Sequence, residues 1–131
     1  MRRPSAGAKR ILVVEDEPAI RDICQRVLAD EGFKVSTAAN GKIGQGMIER
    51  KRYDFCLIDM RTPKMNGREL YQWLKEKHLP LTKGVIFTTG DVMDGGTLRF
   101  LEQAAKPLLP KPFTPGELRT VAQEALKEIG G

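Results

Sequence analysis

Apolar residues along this chain follow two alternating patterns. Residues 9–14 (KRILVV), 55–58 (FCLI) and 84–90 (GVIFTTG) are short, nearly continuous apolar runs, the pattern of strands buried on both faces. Residues 33–38 (FKVSTA) form a shorter strand with partial alternation, and residues 107–110 (PLLP) a brief fifth strand. Between these runs the period changes. After Pro18, the residues Ile20, Ile23, Cys24, Val27 and Leu28 recur at helical intervals until Gly32. Asn40-Gly41 opens a weaker helix carrying Ile43, Met47 and Ile48, diluted by Gly44 and Gly46. A third helix from about Gly67 turns Leu70, Trp73 and Leu74 inward, and a fourth covers roughly residues 97–105, loosened at its start by Gly95-Gly96. The last is the clearest. Thr114, Pro115 and Glu117 make a capping box with proline at the first helical position, and Leu118, Val121, Ala122, Ala125, Leu126 and Ile129 share one face. Five strands alternating with five helices predict an α/β domain, a doubly wound parallel sheet with helices on both faces and right-handed crossovers.

Composition narrows the picture. A chain of 131 residues, 40% hydrophobic and 30% charged, suits one globular domain. No apolar run approaches the roughly 20 residues that span a bilayer, and the polar start MRRPSAGAKR is no signal peptide, so a cytoplasmic protein without membrane insertion is expected. The net charge of +5 is concentrated at one end: residues 1–10 hold Arg2, Arg3, Lys9 and Arg10 and no acid. Residues 1–8 therefore read as a flexible basic tail and 9–129 as the folded domain. Cys24 and Cys56 sit inside apolar patterns without CxxC spacing and read as small core residues. His78 is the only histidine and lies near a helix end beside Pro80, so Ser-His and Cys-His catalysis find no support.

In a doubly wound sheet, functional groups gather at the carboxyl ends of the strands. Strand one delivers Glu15, Asp16 and Glu17 there; strand three delivers Asp59; strand four Thr88, Thr89, Gly90 and Asp91; strand five Lys111-Pro112-Phe113. These converge if the strand order is 2-1-3-4-5. Singly, each has an ordinary explanation: Glu17 before Pro18 as a helix cap, the threonines as strand residues, Lys-Pro as a commonplace pair. Together they read as a phosphoryl-transfer site. Crowded carboxylates resist ionisation unless a cation joins them, and carboxylate and carbonyl oxygens suit Mg²⁺. Asp59 is then the nucleophile, Glu15 and Asp16 hold the metal, and Lys111 and Thr89 contact phosphoryl oxygens.

The stretches ILVVEDEP, CLIDMRTPKMNG, VIFTTGD and PKPF together resemble the receiver domain of two-component response regulators, over about residues 9–129. The resemblance implies a flavodoxin-like fold, with Asp59 as phosphoacceptor from a sensor kinase phosphohistidine or a phosphotransfer protein. It implies Mg²⁺ on Glu15, Asp16, Asp59 and the main-chain carbonyl of Arg61. It further implies Thr89 and Lys111 as the hydroxyl and lysine of the family, and a cis Lys111-Pro112 bond. The segment from FTTGD to KPF is similar to receivers attached to hybrid kinases. Such a domain acts through a downstream protein target, without direct nucleic-acid contact, and a phosphorylation-dependent homodimer is one form the output can take. Receivers commonly carry Tyr or Phe three residues before the lysine; Leu108 stands here. Arg61 and Asp91, two residues beyond Asp59 and Thr89, are expected to flank the site mouth as an ion pair.

Other readings stay open at this point. A haloacid-dehalogenase-type phosphohydrolase also uses a strand-end aspartate, but needs a second acid where Arg61 stands. A flavodoxin-like FMN carrier would meet an acidic site that repels its phosphate, and against a degenerate receiver that binds partners without phosphorylation stand five site positions all filled by competent residue types. A P-loop is absent from the sequence. The sequence stops after the fifth helix, which fits either a stand-alone receiver or a piece of a larger protein.

Overall fold

The computed structural model describes residues 8–90 and 95–130. In chain order the elements are β1 (Arg10–Val14), α1 (Pro18–Asp30), β2 (Lys34–Ala38), α2 (Gly41–Arg50), β3 (Phe55–Asp59), α3 (Gly67–Lys77), a 3₁₀ segment (Leu79–Gly84), β4 (Val85–Thr89), α4 (Gly95–Ala104), β5 (Leu108–Pro110) and α5 (Pro115–Gly130). The five strands form one sheet in the order β2-β1-β3-β4-β5, and every neighbouring pair is parallel. The sequence expectation of a flavodoxin-like, doubly wound sheet is met.

Side chains alternate across the sheet, and this divides the core into two layers. Ile11, Val13, Phe55, Leu57, Ile86 and Leu109 pack on Cys24, Val27 and Leu28 of α1 and on Leu118, Ala122 and Ala125 of α5. Leu12, Val14, Cys56, Ile58, Val85 and Phe87 pack on the other side, against Ile48 of α2, Leu70, Tyr71 and Leu74 of α3 and Phe100 and Leu101 of α4. β3 and β4 are buried at every position, which explains their unbroken apolar sequences. Phe55 and Phe87 are fully enclosed; truncating either to alanine removes about 3–5 kcal/mol. Both cysteines are buried and unpaired. Burial pushes the Cys24 thiol up to about 12 and the Cys56 thiol higher still, so neither is reactive at neutral pH.

Local signals locate the ends of the elements. Gly32, with φ +98°, takes the left-handed position just beyond α1. Asn40 caps α2 by accepting from the Ile43 N–H at 2.9 Å. The Thr114 hydroxyl accepts from the Glu117 N–H at 3.0 Å and the Glu117 carboxylate from the Thr114 N–H at 2.8 Å, the two bonds of the expected capping box. Three readings change. Ile43 is 48% exposed; the inward positions of α2 are Gly41, Gly44 and Ile48. Gly44 lies so close to β1 that an added Cβ would sit 3.0 Å from Val14 Cγ2, so this glycine lends the helix its close approach rather than merely weakening it. Gly84 belongs to the 3₁₀ segment and Gly90 lies past the strand, which shortens β4 at both ends. α4 starts at Gly95, ahead of the expected Thr97, and stops before Ala105, whose φ of +54° breaks the helix. Residues 1–7 of the expected tail, Asp91 and the Ile129 side chain lie outside the described residues.

Candidate functional site

β1 runs straight into the acidic segment. The Glu15 N–H continues the ladder to the Ala38 carbonyl at 3.0 Å, which carries the Glu15 side chain into the protein edge, where it is 3% exposed. Glu15 Oε2 accepts from the Glu17 N–H at 2.9 Å. From the first turn of α1, Arg21 donates to the carbonyls of Glu15 and Asp16 at 2.9 and 3.1 Å. Glu17 occupies the N-cap of α1 but makes no side-chain capping bond; its carboxylate lies 3.8 Å from Lys111 Nζ instead.

β3 delivers Asp59 as its last residue, also 3% exposed. Asp59 Oδ1 accepts from the Arg61 N–H at 3.1 Å, and Oδ2 from Lys111 Nζ at 3.1 Å. The following loop is tied to itself. Thr62 donates to the Met65 carbonyl at 2.7 Å, and Asn66 and Glu69 close a reciprocal capping box on α3. Gly67 then brings α3 hard against the strand end: an added Cβ would meet Met60 Cα at 2.8 Å and the Asp59 carbonyl oxygen at 2.9 Å.

β4 and β5 supply the rest. The Lys111 N–H bonds the Thr89 carbonyl at 2.9 Å, and the Lys111-Pro112 bond is cis, as expected. The ammonium reaches back across two strands to Glu15 Oε1 at 2.7 Å and Asp59 Oδ2 at 3.1 Å. Strand alternation places Thr89 on the α2–α4 side, with Val85 and Phe87. There it borders a cavity of about 170 Å³ lined also by Met60, Arg61, Asn66, Arg68 and Thr97. Gly90 is exposed, and a Cβ there would make only ordinary contact with Lys111, at 3.7 Å.

The charges explain the titration behaviour. Burial raises the Glu15 carboxyl above its usual 4.5; Lys111 and the Glu17 N–H oppose this, while the nearby Asp59 charge adds to it. Burial would lower Lys111, but its hydrogen bonds to Glu15 and Asp59 outweigh that and raise it above 10.5. Lys111 therefore stays charged. Carboxylate oxygens of Glu15, Asp16 and Glu17 lie within 4.8 Å of one another, and Asp59 meets this group through Lys111. Hard oxygen donors with an unbalanced negative charge are the donor set that suits Mg²⁺.

Of the strand-end residues singled out in the sequence, Glu15, Asp16, Glu17, Asp59, Thr89 and Lys111 lie along one carboxyl edge. Glu15, Glu17, Asp59 and Lys111 interact directly; Asp16 joins through the acidic cluster, Arg61 through its main chain, and Thr89 through its carbonyl and the adjoining cavity. The expected Arg61–Asp91 pair lies outside the described residues, because Asp91 does. Arg21 and Arg68 were not foreseen. An arginine one turn into a helix that follows an acidic loop is the signal that would have found Arg21.

A family model described as the response regulator receiver domain matches residues 11–123. The chain belongs to that family. The receiver is 31% identical over 119 residues to the response regulator protein PilR of Pseudomonas aeruginosa, covering 91% of this chain and 26% of that protein. It is 32% identical over 108 residues to the response regulator SaeR of Staphylococcus aureus, covering 82% of this chain and 46% of that one. It thus spans less than half the length of either relative. A receiver domain protein (CheY-like) from Methanospirillum hungatei matches with a TM-score of 0.84 at 30% identity, over 93% of this chain and 96% of that one. The receiver domain of a signal transduction histidine kinase from Syntrophus aciditrophicus has the same fold, with a TM-score of 0.82 at 24% identity, over 93% and 92%. Both the family and the strand order expected from the sequence are borne out.

Proposed function

We propose that this receiver accepts a phosphoryl group on Asp59 from the phosphohistidine of a sensor kinase or phosphotransfer protein. The observation that carries the reading is the bridge made by Lys111, whose ammonium contacts both Asp59 and Glu15 at the edge where β1, β3 and β5 end. A carboxylate held by one ammonium and one main-chain N–H is oriented as a nucleophile. One Asp59 oxygen forms the new bond to phosphorus while the P–N bond of the donor breaks, and the departing imidazole keeps the electron pair and takes up a proton. In this reading Lys111 follows the charge onto a phosphoryl oxygen, and the Thr89 hydroxyl donates to another.

Glu15, Asp16, Asp59 and the Arg61 carbonyl would hold Mg²⁺. Bound there, the ion neutralises phosphoryl oxygens as charge builds on them. The same residues serve hydrolysis of the aspartyl phosphate, so the domain governs its own phosphorylation and its loss. Its output is a change in protein contacts, with a downstream protein or a second copy of the receiver. Among the described residues no helix is long and apolar enough to cross a membrane.

Incubation with phosphoramidate and Mg²⁺ followed by intact-mass measurement tests this. One added phosphoryl group in the wild type, and none in Asp59→Asn, is expected. No gain in the wild type contradicts it. A phosphohydrolase would instead turn over phosphate esters continuously without keeping the group.

A further inference from the structure

Arg68 is the second residue of α3, next to Gly67, which abuts the backbone of Asp59 and Met60. It is exposed, and it lines the 170 Å³ cavity that Thr89 borders. Among the described residues it forms no ion pair and no side-chain hydrogen bond. Its guanidinium instead lies over the ring of Phe100 on α4, 5.4 Å from the centroid. Phe100 belongs to a closed triangle of edge-to-face rings: 5.8 Å to Tyr71 of α3, 5.6 Å to Phe87 of β4, with Tyr71 and Phe87 5.3 Å apart. Phe87 lies two residues before Thr89 and faces the same side of the sheet. A cation without an anionic partner among the described residues thus stands between the strand end carrying Asp59 and the helix α4.

We propose that Arg68 is a positioning residue that reads the charge at Asp59 and relays it to α4 through Phe100. This rests on the reading of Asp59 as phosphoacceptor. Without a phosphoryl group, the partner of the Arg68 guanidinium among the described residues is the Phe100 ring, and the contact tethers α4 to the start of α3. With the group in place, the guanidinium gains an anion that it binds through charge-assisted, bidentate hydrogen bonds, stronger than contact with a ring at the surface. Arg68 turns toward the cavity and Phe100 loses its cover. The two states then differ in the tether on α4, and this difference lets phosphorylation shift their balance. The surface that changes includes Leu98, 43% exposed on α4, where a partner protein would read the state.

Hydrogen exchange of peptides spanning α4, taken with and without phosphoramidate and Mg²⁺, tests the relay. Intact mass of the same samples gives the phosphoryl occupancy. In the wild type, α4 exchange should rise in step with occupancy. In Arg68→Ala it should already be raised before phosphorylation, with no further rise at matched occupancy. Phe100→Leu should show the same uncoupling, and Arg68→Lys, which keeps the cation, should restore part of the response. A wild-type response preserved in Arg68→Ala, or unchanged α4 exchange in a fully phosphorylated wild type, overturns the inference. Absence of any mass gain in the wild type overturns the phosphoacceptor reading itself, and the relay with it.

Discussion

Lys111 Nζ stands 2.7 Å from Glu15, nearer than its 3.1 Å from Asp59. The lysine of β5 is therefore shared between the acid after β1 and the acid ending β3, and it holds together two buried carboxylates that would otherwise repel. Lys111→Met should leave both without a counter-charge. Removing one partner of a buried pair costs about 3–5 kcal/mol, and a site at the protein edge belongs at the low end. Urea unfolding at neutral pH measures it. The sign with pH follows from the raised Lys111 pKa: its stabilisation is fully present below the ordinary 10.5 and is lost as the pH climbs through the higher folded value. The variant should lack that alkaline loss.

Glu15 behaves in the opposite sense. Its carboxyl is raised in the folded protein, chiefly by burial, so the folded state prefers it protonated. Its favourable contribution exists below the ordinary 4.5 and disappears as the pH rises through the folded value. Glu15→Gln should accordingly raise the melting temperature at neutral pH in the absence of Mg²⁺, and the gain should fade as the pH falls through the raised folded value and be gone below 4.5. Saturating Mg²⁺ should also narrow the gap, because binding to the wild type stabilises it by mass action.

Gly67→Ala should damage stability and site together. The added methyl meets main-chain atoms of Met60 and Asp59, which cannot swing aside as a side chain can. Overpacking of this kind costs about 1–3 kcal/mol. Phosphoryl uptake should slow alongside, measured as mass gain against time in phosphoramidate.

Arg21→Ala should leave the carbonyls of Glu15 and Asp16 without their guanidinium donor. A hydrogen bond to a charged group contributes about 1.5–3 kcal/mol; with Asp16 exposed, a loss of about 1 kcal/mol is expected on chemical unfolding. The acidic loop should then be less ordered, and calorimetric Mg²⁺ affinity should fall several-fold. Unchanged affinity would show that Arg21 supports the helix alone.

The architecture was legible because the apolar runs of β1, β3 and β4 are buried on both faces and leave no competing period. The site was legible because four strand ends each carry a polar residue where a core strand needs none. What escaped is what spacing does not encode. Ile43 has helical spacing but faces solvent, while Gly44 packs on Val14 of β1 and Gly41 on the main chain of Met65. The 3₁₀ segment follows from Pro80 and from the Thr82 hydroxyl bonding the Leu79 carbonyl at 2.6 Å, a local contact with no periodic trace. Arg68 over Phe100 joins residues of two helices that only the fold brings together.

Locating the phosphoryl group on the chain tests the central claim most directly. Borohydride reduction of the phosphoramidate-treated receiver converts an aspartyl phosphate to homoserine, and tandem mass spectrometry finds the converted position. Conversion at Asp59, dependent on Mg²⁺ and abolished in Asp59→Asn, is the predicted result. Conversion at Asp16, or none at full phosphoryl occupancy, would contradict the account.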